Sequence, residues 1–349
     1  MFNLLSIPET IQGPCAWYGP QMEASREWIE YLSPTEIAEI DFASQRLVKA
    51  DRDIASIRSS DFPLPTLGPR LRRILDDVLN GRGFALLRGL PVEHWSKQQS
   101  ATAFFGLGTH LGSARSQNAQ CHVLGHVFDL GMSSRDPNVR IYQTSERQGY
   151  HTDSCDVVGL LCLHTAKVGG LSSLVSSVTI YNEMRGQRPD LVSVLFEPIE
   201  TDRRGEMTEG QKPYFEIPVF NWHAGLLSTI YQRKYINSAR RFLGRALTPQ
   251  QEEALDLFDG LCNDPRLNLA MEFLPGDVQL VHNHTLLHDR TAFEDWPEPE
   301  RKRHLLRLWL APPAARPLPP VFAQRYGSIT PGERGGVNLQ GAKPIAPLD

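Results

Sequence analysis

The sequence lacks the features that mark membrane-spanning, secreted and nucleic-acid-binding proteins. No stretch of its 349 residues approaches the roughly 18 uninterrupted apolar residues of a transmembrane helix. The start, Met1–Leu5, has neither the cationic residues nor the long apolar run of a secretory signal. The 36 lysines and arginines are outnumbered by 40 aspartates and glutamates, so no basic excess favours general nucleic-acid binding. These absences predict a soluble, cytoplasmic protein.

Cysteine is also scarce. The five cysteines are odd in number, scattered, and never spaced as CxxC, which argues against a disulfide framework or a zinc ribbon. The 41% of apolar residues suffices for a substantial core. The length suits either two domains or one large unit.

The hydrophobic pattern changes character along the chain. Residues 1–82 carry helical patterns, with a helix start at Ser33-Pro34-Thr35-Glu36 and a helix predicted over 69–80. Another helix is predicted over 95–111, and Thr248-Pro249-Gln250-Gln251 predicts a further start within a helical insertion at about 232–272. Short runs rich in Val, Ile, Leu or Tyr predict strands over 84–87, 139–144, 156–166, 172–181, 218–231, 276–284 and 304–310. The pattern favours a mainly β fold, a sandwich or barrel with flanking helices, followed by a Pro/Gly-rich tail over 311–349.

One triplet, His151-Thr152-Asp153, points to metal chemistry. In an extended segment, residues i and i+2 face the same side, so an imidazole and a carboxylate converge there. A third ligand is available near the C-terminus, where His282, His284 and His288 share parity, so alternation alone does not choose between them. Two histidines and one carboxylate form the facial triad of non-haem Fe(II) oxygenases.

Arg290 and Thr291 stand beside His288, and Arg303 follows, but only the family motifs described below choose His288 as the third ligand. Arg303 and Arg307 follow on a predicted strand, and the planar fork of an arginine suits a carboxylate. His122 and His126 are four apart, as in helical zinc sites, but Gly125 weakens a helix there and no third ligand is obvious.

Four motifs in order, His151-x-Asp153, Gly169-Gly170-Leu171-Ser172, His288-x-Arg290-Thr291 and Arg303-x-x-x-Arg307, resemble those of the taurine dioxygenase/2,4-dichlorophenoxyacetate dioxygenase family. The resemblance runs from about residue 83 to 310. It implies a double-stranded β-helix (jelly-roll, cupin-like) core over 83–310 within a single oxygenase domain spanning 1–349. It also implies Fe(II), 2-oxoglutarate as cosubstrate, and O₂.

The same resemblance implies roles for residues. His151, Asp153 and His288 would be the catalytic iron ligands, and Arg303 would pair with the distal carboxylate of 2-oxoglutarate. Ser172 stands where the family usually has Thr, and Arg307 would lie nearer the iron, facing a substrate anion or the cosubstrate 1-carboxylate. Related halogenases have a small residue at the position of Asp153, so the family comparison favours hydroxylation. Desaturation or ring closure with the same ligands stays open.

Substrate contacts are predicted from position alone. Gln143 and Tyr150 lie just before the metal motif, and Gln117 and Asn118 fall in a polar loop before the strands. Arg307 and the absence of a basic surface favour a small polar substrate, carboxylate-bearing or amino-acid-like, over a lipid or nucleic acid. Residues 201–214 and the tail are candidate lids.

Two further questions stay open on the sequence alone. A homo-oligomer is an open option, and no nucleic-acid or membrane partner is expected. The alternative from another class is a non-catalytic jelly-roll binding or sensing protein that holds a structural metal.

Overall fold

The computed structural model describes residues 7–133, 139–207, 210–337 and 343–348. The strands are β1 (Ile29–Tyr31), β2 (Phe84–Arg88), β3 (Ser113–Arg115), β4 (Gly125–Val127), β5 (Gln148–His151), β6 (Val157–His164), β7 (Val168–Gly169), β8 (Ser172–Ser176), β9 (Ile199–Asp202), β10 (Tyr214–Ile217), β11 (Phe220–His223), β12 (Leu226–Thr229), β13 (Leu269–Met271), β14 (Val278–His282), β15 (Leu286–Arg290), β16 (Phe293–Glu294) and β17 (His304–Ala311). The helices are α1 (Gly19–Ser25), α2 (Pro34–Lys49), α3 (Leu67–Asn80), α4 (Lys97–Thr109), α5 (Ser177–Gln187), α6 (Pro189–Leu195), α7 (Arg233–Leu243), α8 (Pro249–Cys262) and α9 (Ala323–Tyr326).

Two sheets form the core. The larger has the order β1-β2-β14-β6-β17-β3, with β4 also paired to β17, and the smaller has the order β13-β8-β15-β5. The chain alternates between them, from β5 to β6 to β8, and later from β14 to β15 to β17. This alternation is that of a jelly roll, so the predicted mainly β class with flanking helices is confirmed.

Alternation along each strand builds three apolar layers. In β2, Phe84 and Leu86 point between the sheets, whereas Ala85 and Leu87 point outward against the helices α2, α3 and α4. The smaller sheet buries its outer face against α5, α6 and α8, with Val175 of β8 in that layer. Side chains between the sheets are therefore the ones that can reach a buried site.

The predicted helix starts are confirmed by their caps. At the start of α2 the Ser33 hydroxyl accepts from the Glu36 N–H, and the Glu36 carboxylate accepts from the Ser33 N–H. At the start of α8 the Thr248 hydroxyl accepts from the Gln251 N–H. Both caps satisfy N–H groups that the first helical turn leaves unpaired.

Among the predicted strands, 139–144 is wrong, 172–181 is wrong in part, and 218–231 is a hairpin of β11 and β12. Residues 139–144 contain a 3₁₀ turn at Ile141–Gln143, closed by the Gln143 side chain accepting from the Arg140 N–H. The strand predicted over 172–181 ends at Ser176, because its hydroxyl caps α5 by accepting from the Thr179 N–H. In both places a local side-chain hydrogen bond outweighs β propensity. Within the described ranges, every helix is too short or too polar to pass through a lipid bilayer.

Candidate metal centre and active site

Three side chains, from two neighbouring strands and the loop that follows one of them, meet between the sheets. His151 ends β5, and His288 lies directly opposite it in β15. Asp153 follows His151 by two residues. Its Oδ1 lies 3.9 Å from His151 Nε2, and its Oδ2 lies 3.9 Å from His288 Nε2. The three potential ligand atoms all lie within 4.8 Å of one another. The structure therefore brings the predicted triad together around one point.

The two imidazoles are uncharged at neutral pH, the form that can bind a metal. The Nδ1 of His151 lies 2.9 Å from the Gly149 carbonyl, which assigns its proton to Nδ1. The Nε2 lone pair then accepts a hydrogen bond from Gln148 Nε2 at 2.8 Å, a bond that a metal ion would replace. Burial lowers the pKa of both rings, and for His288 burial and the neighbouring His151 lower the pKa to about 3. Neutral imidazole nitrogens are the form that binds a divalent metal.

The carboxylate of Asp153 is fixed by its surroundings. Its backbone N–H donates to Asn283 Oδ1 at 2.9 Å, and the Trp309 indole N–H donates to its Oδ2 at 2.8 Å. Burial alone would raise the pKa of Asp153, but the Arg307 charge and both histidines outweigh it and hold the pKa below its usual value. The ionised carboxylate and two neutral imidazoles fit Fe(II) by donor type, count and proximity.

A first cavity extends from the triad to Arg303. Its lining includes Ser172 and Phe273. Arg303 is 4% exposed, and its Nη1 has no hydrogen-bond partner among the described residues. Burial lowers the pKa of Arg303 to about 10, which still leaves it charged at neutral pH. A buried cation with a free donor at the end of a cavity that begins at the metal ligands fits the distal carboxylate of 2-oxoglutarate.

Gly170 gives Arg303 its position. The glycine has φ +69°, and a Cβ there would lie 2.9 Å from Arg303 Nε. A side chain at this position would therefore be strained and would also press on the guanidinium. The Ser172 hydroxyl, on the same cavity wall, accepts a long bond of 3.4 Å from Gln279.

Arg307 separates this cavity from a second one and lines both. Its Nε donates to Gln117 Oε1 at 2.7 Å, and Gln117 Nε2 returns a bond to the Arg307 carbonyl at 2.8 Å. The guanidinium lies over the Tyr142 and Trp309 rings, 4.7 and 5.1 Å from their centroids. Arg307 is thus held rigidly beside Asp153, with Nη1 3.6 Å from its Oδ2.

Three of the residues predicted to contact substrate do not line the second cavity. Tyr150 neighbours His151 in β5 and so points outward, where it packs in the apolar layer and hydrogen-bonds Ser173. The Gln143 amide closes the 3₁₀ turn, and Asn118 Oδ1 accepts from the N–H groups of Gln120 and His122. Gln117 alone of the four lines the second cavity.

His284 is engaged in a cluster of its own. Its Nε2 lies 2.8 Å from Asp156 Oδ1, and Arg334 Nη2 lies 2.7 Å from the same oxygen. All three side chains are fully buried. We call His284, Asp156 and Arg334 the closed cluster, and His288, Asp153 and Arg307 the open cluster.

The second cavity is bounded largely by residues that the sequence interpretation missed. It measures about 790 Å³ including its solvent-open mouth, and it borders His151 and Asp153. Its lining includes Arg140, Tyr142, Glu206, Tyr235 and Arg325. Arg140 and Tyr142 come from the segment predicted as a strand, and Glu206 comes from the candidate lid. Tyr235 comes from α7 and Arg325 from the tail. The predicted candidate lid contributes Glu206 to the wall.

Comparison with known proteins identifies the family. The sequence matches the taurine catabolism dioxygenase TauD, TfdA family over residues 49–309. FR-33289 synthase of Streptomyces rubellomurinus is 31% identical over 332 residues, covering 94% of this chain and 97% of the relative. The taurine hydroxylase-like protein SAT17 of Stachybotrys chartarum is 30% identical over 317 residues, covering 85% and 81%.

Solved structures agree in fold. Asparagine oxygenase with Fe(II), 3-hydroxyasparagine and succinate superposes with a TM-score of 0.61 at 16% identity, over 81% of this chain and 93% of the other. The non-haem iron oxygenase OrfP with Fe and α-ketoglutaric acid gives 0.61 at 13% identity, over the same shares. The chain therefore belongs to the taurine dioxygenase (TauD/TfdA) family and is an Fe(II)- and 2-oxoglutarate-dependent dioxygenase.

Proposed function

We propose that this dioxygenase hydroxylates a C–H bond of a small polar molecule, carboxylate-bearing or amino-acid-like, held in the second cavity. The observation that carries the proposal is the meeting of two cavities at the triad. One of them ends on the buried Arg303, whose Nη1 has no hydrogen-bond partner among the described residues. Two cavities at one metal site suit a cosubstrate and a substrate that must lie side by side. The structural neighbours are described as complexes with hydroxyasparagine and hydroxyarginine, which supports an amino-acid-like substrate.

In this proposal each residue has a defined task. His151, Asp153 and His288 would hold Fe(II), which with 2-oxoglutarate and O₂ supplies the oxidant and releases succinate and CO₂. Trp309 and Asn283 keep Asp153 in place through their hydrogen bonds. The site lies between the sheets, which keeps most of its surface away from bulk water.

The cosubstrate and substrate would be oriented by two arginines. Arg303 would pair with the distal carboxylate of 2-oxoglutarate, with the Ser172 hydroxyl on the same wall. Arg307, fixed by Gln117, would direct its remaining donors toward the junction of the two cavities. We further propose that the chain acts as a single domain in the cytoplasm, consistent with its five free cysteines.

The test is an anaerobic titration of the metal-free protein with Fe(II) and then 2-oxoglutarate, following the visible charge-transfer band of the chelate. We expect a saturable band in the wild type. In Arg303→Gln we expect the band to need about ten- to hundredfold more 2-oxoglutarate, because a charged hydrogen bond is lost. An unchanged requirement would transfer this role to Arg307.

The reaction type is then read from products. Succinate release is screened with small acids and amino acids, and the product mass is measured. A gain of one oxygen supports hydroxylation, whereas a loss of two hydrogens indicates desaturation or ring closure. Absence of the band together with tightly retained zinc would contradict the proposal and favour a non-catalytic binding protein.

A further inference from the structure

Four arginines gather at the wall of the second cavity. Arg140 and Arg325 line it, and Arg203 and Arg204 contact the same aromatic rings as these two. Arg140 and Arg204 both lie over the Tyr235 ring, at 5.5 and 5.3 Å from its centroid. Arg203 and Arg325 both lie over the Phe215 ring, at 5.6 and 5.9 Å. We call Arg140, Arg203, Arg204 and Arg325 the arginine cluster.

One carboxylate, that of Glu206, forms ion pairs with this cluster. Glu206 pairs with Arg140 through Oε1, and with Arg325 Nη2 through Oε2 at 3.0 Å. In the described ranges no other carboxylate lies within ion-pair distance of the four arginines. The neighbouring Asp202 is paired with Arg241 at 3.0 Å instead. The cluster therefore holds a formal excess of three positive charges beside the cavity.

The other contacts of these guanidiniums are uncharged. Arg140 Nη1 donates to the Tyr235 hydroxyl at 2.6 Å, and Arg325 Nε donates to the Ser154 hydroxyl at 2.8 Å. Arg203 and Arg204 donate to the carbonyls of Gln324 and Val139. The Nε atoms of Arg203 and Arg204 are buried and have no partner among the described residues.

Burial opposes the charge of Arg140, but Tyr235 and Glu206 outweigh it and raise its pKa, so the unfavourable charge in the cluster is that of Arg203. Burial and the nearby Arg325 lower the pKa of Arg203 to about 10, so the charge is retained at neutral pH in an unfavourable environment. Aromatic faces and carbonyls orient the guanidiniums but cancel none of their net charge. A carboxylate, as Glu206 already illustrates, leaves most of that charge uncompensated.

We propose that the arginine cluster binds a doubly charged tetrahedral oxyanion of the substrate, a phosphate ester or a phosphonate. Such a group brings two negative charges and three acceptor oxygens, enough to meet Arg140, Arg325 and Tyr235 at once. It would compete with Glu206 for the two arginines that line the cavity. Ser154, which binds Arg325, directly follows Asp153, so a substrate anchored there lies beside the metal ligands. This inference rests on the proposed function, because it names the substrate class of the same site.

The experiment is calorimetric titration of the full-length, metal-free protein with propylphosphonate, propyl phosphate and butyrate, above the second ionisation of both phosphorus compounds. We expect at least one phosphorus dianion to bind about tenfold or more tighter than butyrate. The tighter of the two identifies the phosphonate or the phosphate ester as the natural class. Equal or tighter binding of butyrate overturns the proposal.

Variants locate the binding. Arg140→Gln and Arg325→Gln should each weaken dianion binding about ten- to hundredfold, and Glu206→Gln should tighten it severalfold because it removes a competing charge. Arg73→Gln, at an exposed arginine of α3, is the control for overall charge. Weaker binding in Glu206→Gln, or unchanged binding in both arginine variants, contradicts the proposal.

The charge-transfer titration distinguishes failure of the arginine-cluster inference from failure of the proposed function. A normal band with 2-oxoglutarate but no preference for a dianion rejects the arginine cluster as a substrate anchor and leaves the proposed function standing. Absence of the band rejects the proposed function whatever the phosphonate result. Binding that is lost in Arg303→Gln but kept in Arg140→Gln places the dianion in the cosubstrate cavity and also overturns the inference.

Discussion

The open and closed clusters contain the same three residue types, and their aspartates are only three residues apart. In the closed cluster His284 and Arg334 lie 2.8 and 2.7 Å from the Asp156 carboxylate. In the open cluster the corresponding distances from Asp153 are 3.9 Å for His288 and 3.6 Å for Arg307. Residue type therefore does not define a metal site. The space that the fold keeps between the side chains does.

Backbone constraints account for the difference. His151 and His288 face each other in paired strands, which fixes the backbone positions from which both rings reach toward Asp153. Asp153 is held by Asn283 and Trp309 on its other sides. His284 instead lies in the turn after β14, where it approaches Asp156 to hydrogen-bond distance.

The largest expected effect comes from exchanging the aspartates for alanine. Asp153→Ala should reduce Fe(II)-dependent turnover of 2-oxoglutarate at least about a hundredfold, because a ligand is lost. Asp156→Ala should instead lower the free energy of unfolding by about 3–5 kcal/mol, because Arg334 is left buried without its carboxylate. Succinate assays and urea denaturation measure the two effects. Turnover that survives in Asp153→Ala would remove the distinction between the clusters.

The histidines provide the second comparison. His288→Ala should abolish the charge-transfer band while the protein stays folded. His284→Ala should keep the band and lower the free energy of unfolding by about 2–4 kcal/mol, through a lost buried hydrogen bond and a cavity. Circular dichroism during urea denaturation gives the stability. A band lost in His284→Ala and kept in His288→Ala would reverse the choice of ligand.

The smallest effect is a pH dependence of stability. Burial lowers the pKa of His284 below its ordinary value of 6.5, so on acidification the unfolded chain takes up a proton before the folded one. Stability from this residue is complete above about pH 6.5 and is lost as the pH falls toward the folded pKa. In His284→Gln the slope of the free energy of unfolding against pH should be smaller by up to about 1.4 kcal/mol per pH unit. His94→Gln, at an exposed site, is the control, and an equal slope in both variants would contradict the assignment.

The sequence predicts much of the cosubstrate side of the site and little of the substrate side. His151, Asp153, His288 and Arg303 belong to motifs whose spacing follows strand geometry, and the structure brings them to one cavity system. Tyr150 neighbours His151 in an extended strand, so alternation turns it away from the metal ligands and into the outer apolar layer. Gln148 nonetheless reaches the cavity, because a β-bulge between β5 and β15 shifts the register there.

The arginine cluster lay outside local sequence reasoning for a different reason. Arg140, Glu206 and Arg325 come from three segments that are distant in sequence, two of them loops and the third the short helix α9. No periodicity predicts which loops meet over a barrel mouth. An arginine in a polar segment is usually solvated, so only the fold reveals that the four arginines share two aromatic rings and that two of them share one carboxylate.

The contact between Arg334 and Asp156 also bears on the order in which the protein is made. The two residues are 178 positions apart. At about 5–20 residues per second, a ribosome adds Arg334 roughly 9–36 seconds after Asp156. During that interval Asp156, which ends the turn that carries Asp153, lacks Arg334 as its partner. We therefore expect iron to be acquired only after synthesis has passed Arg334, so that loading follows translation of nearly all of the sequence.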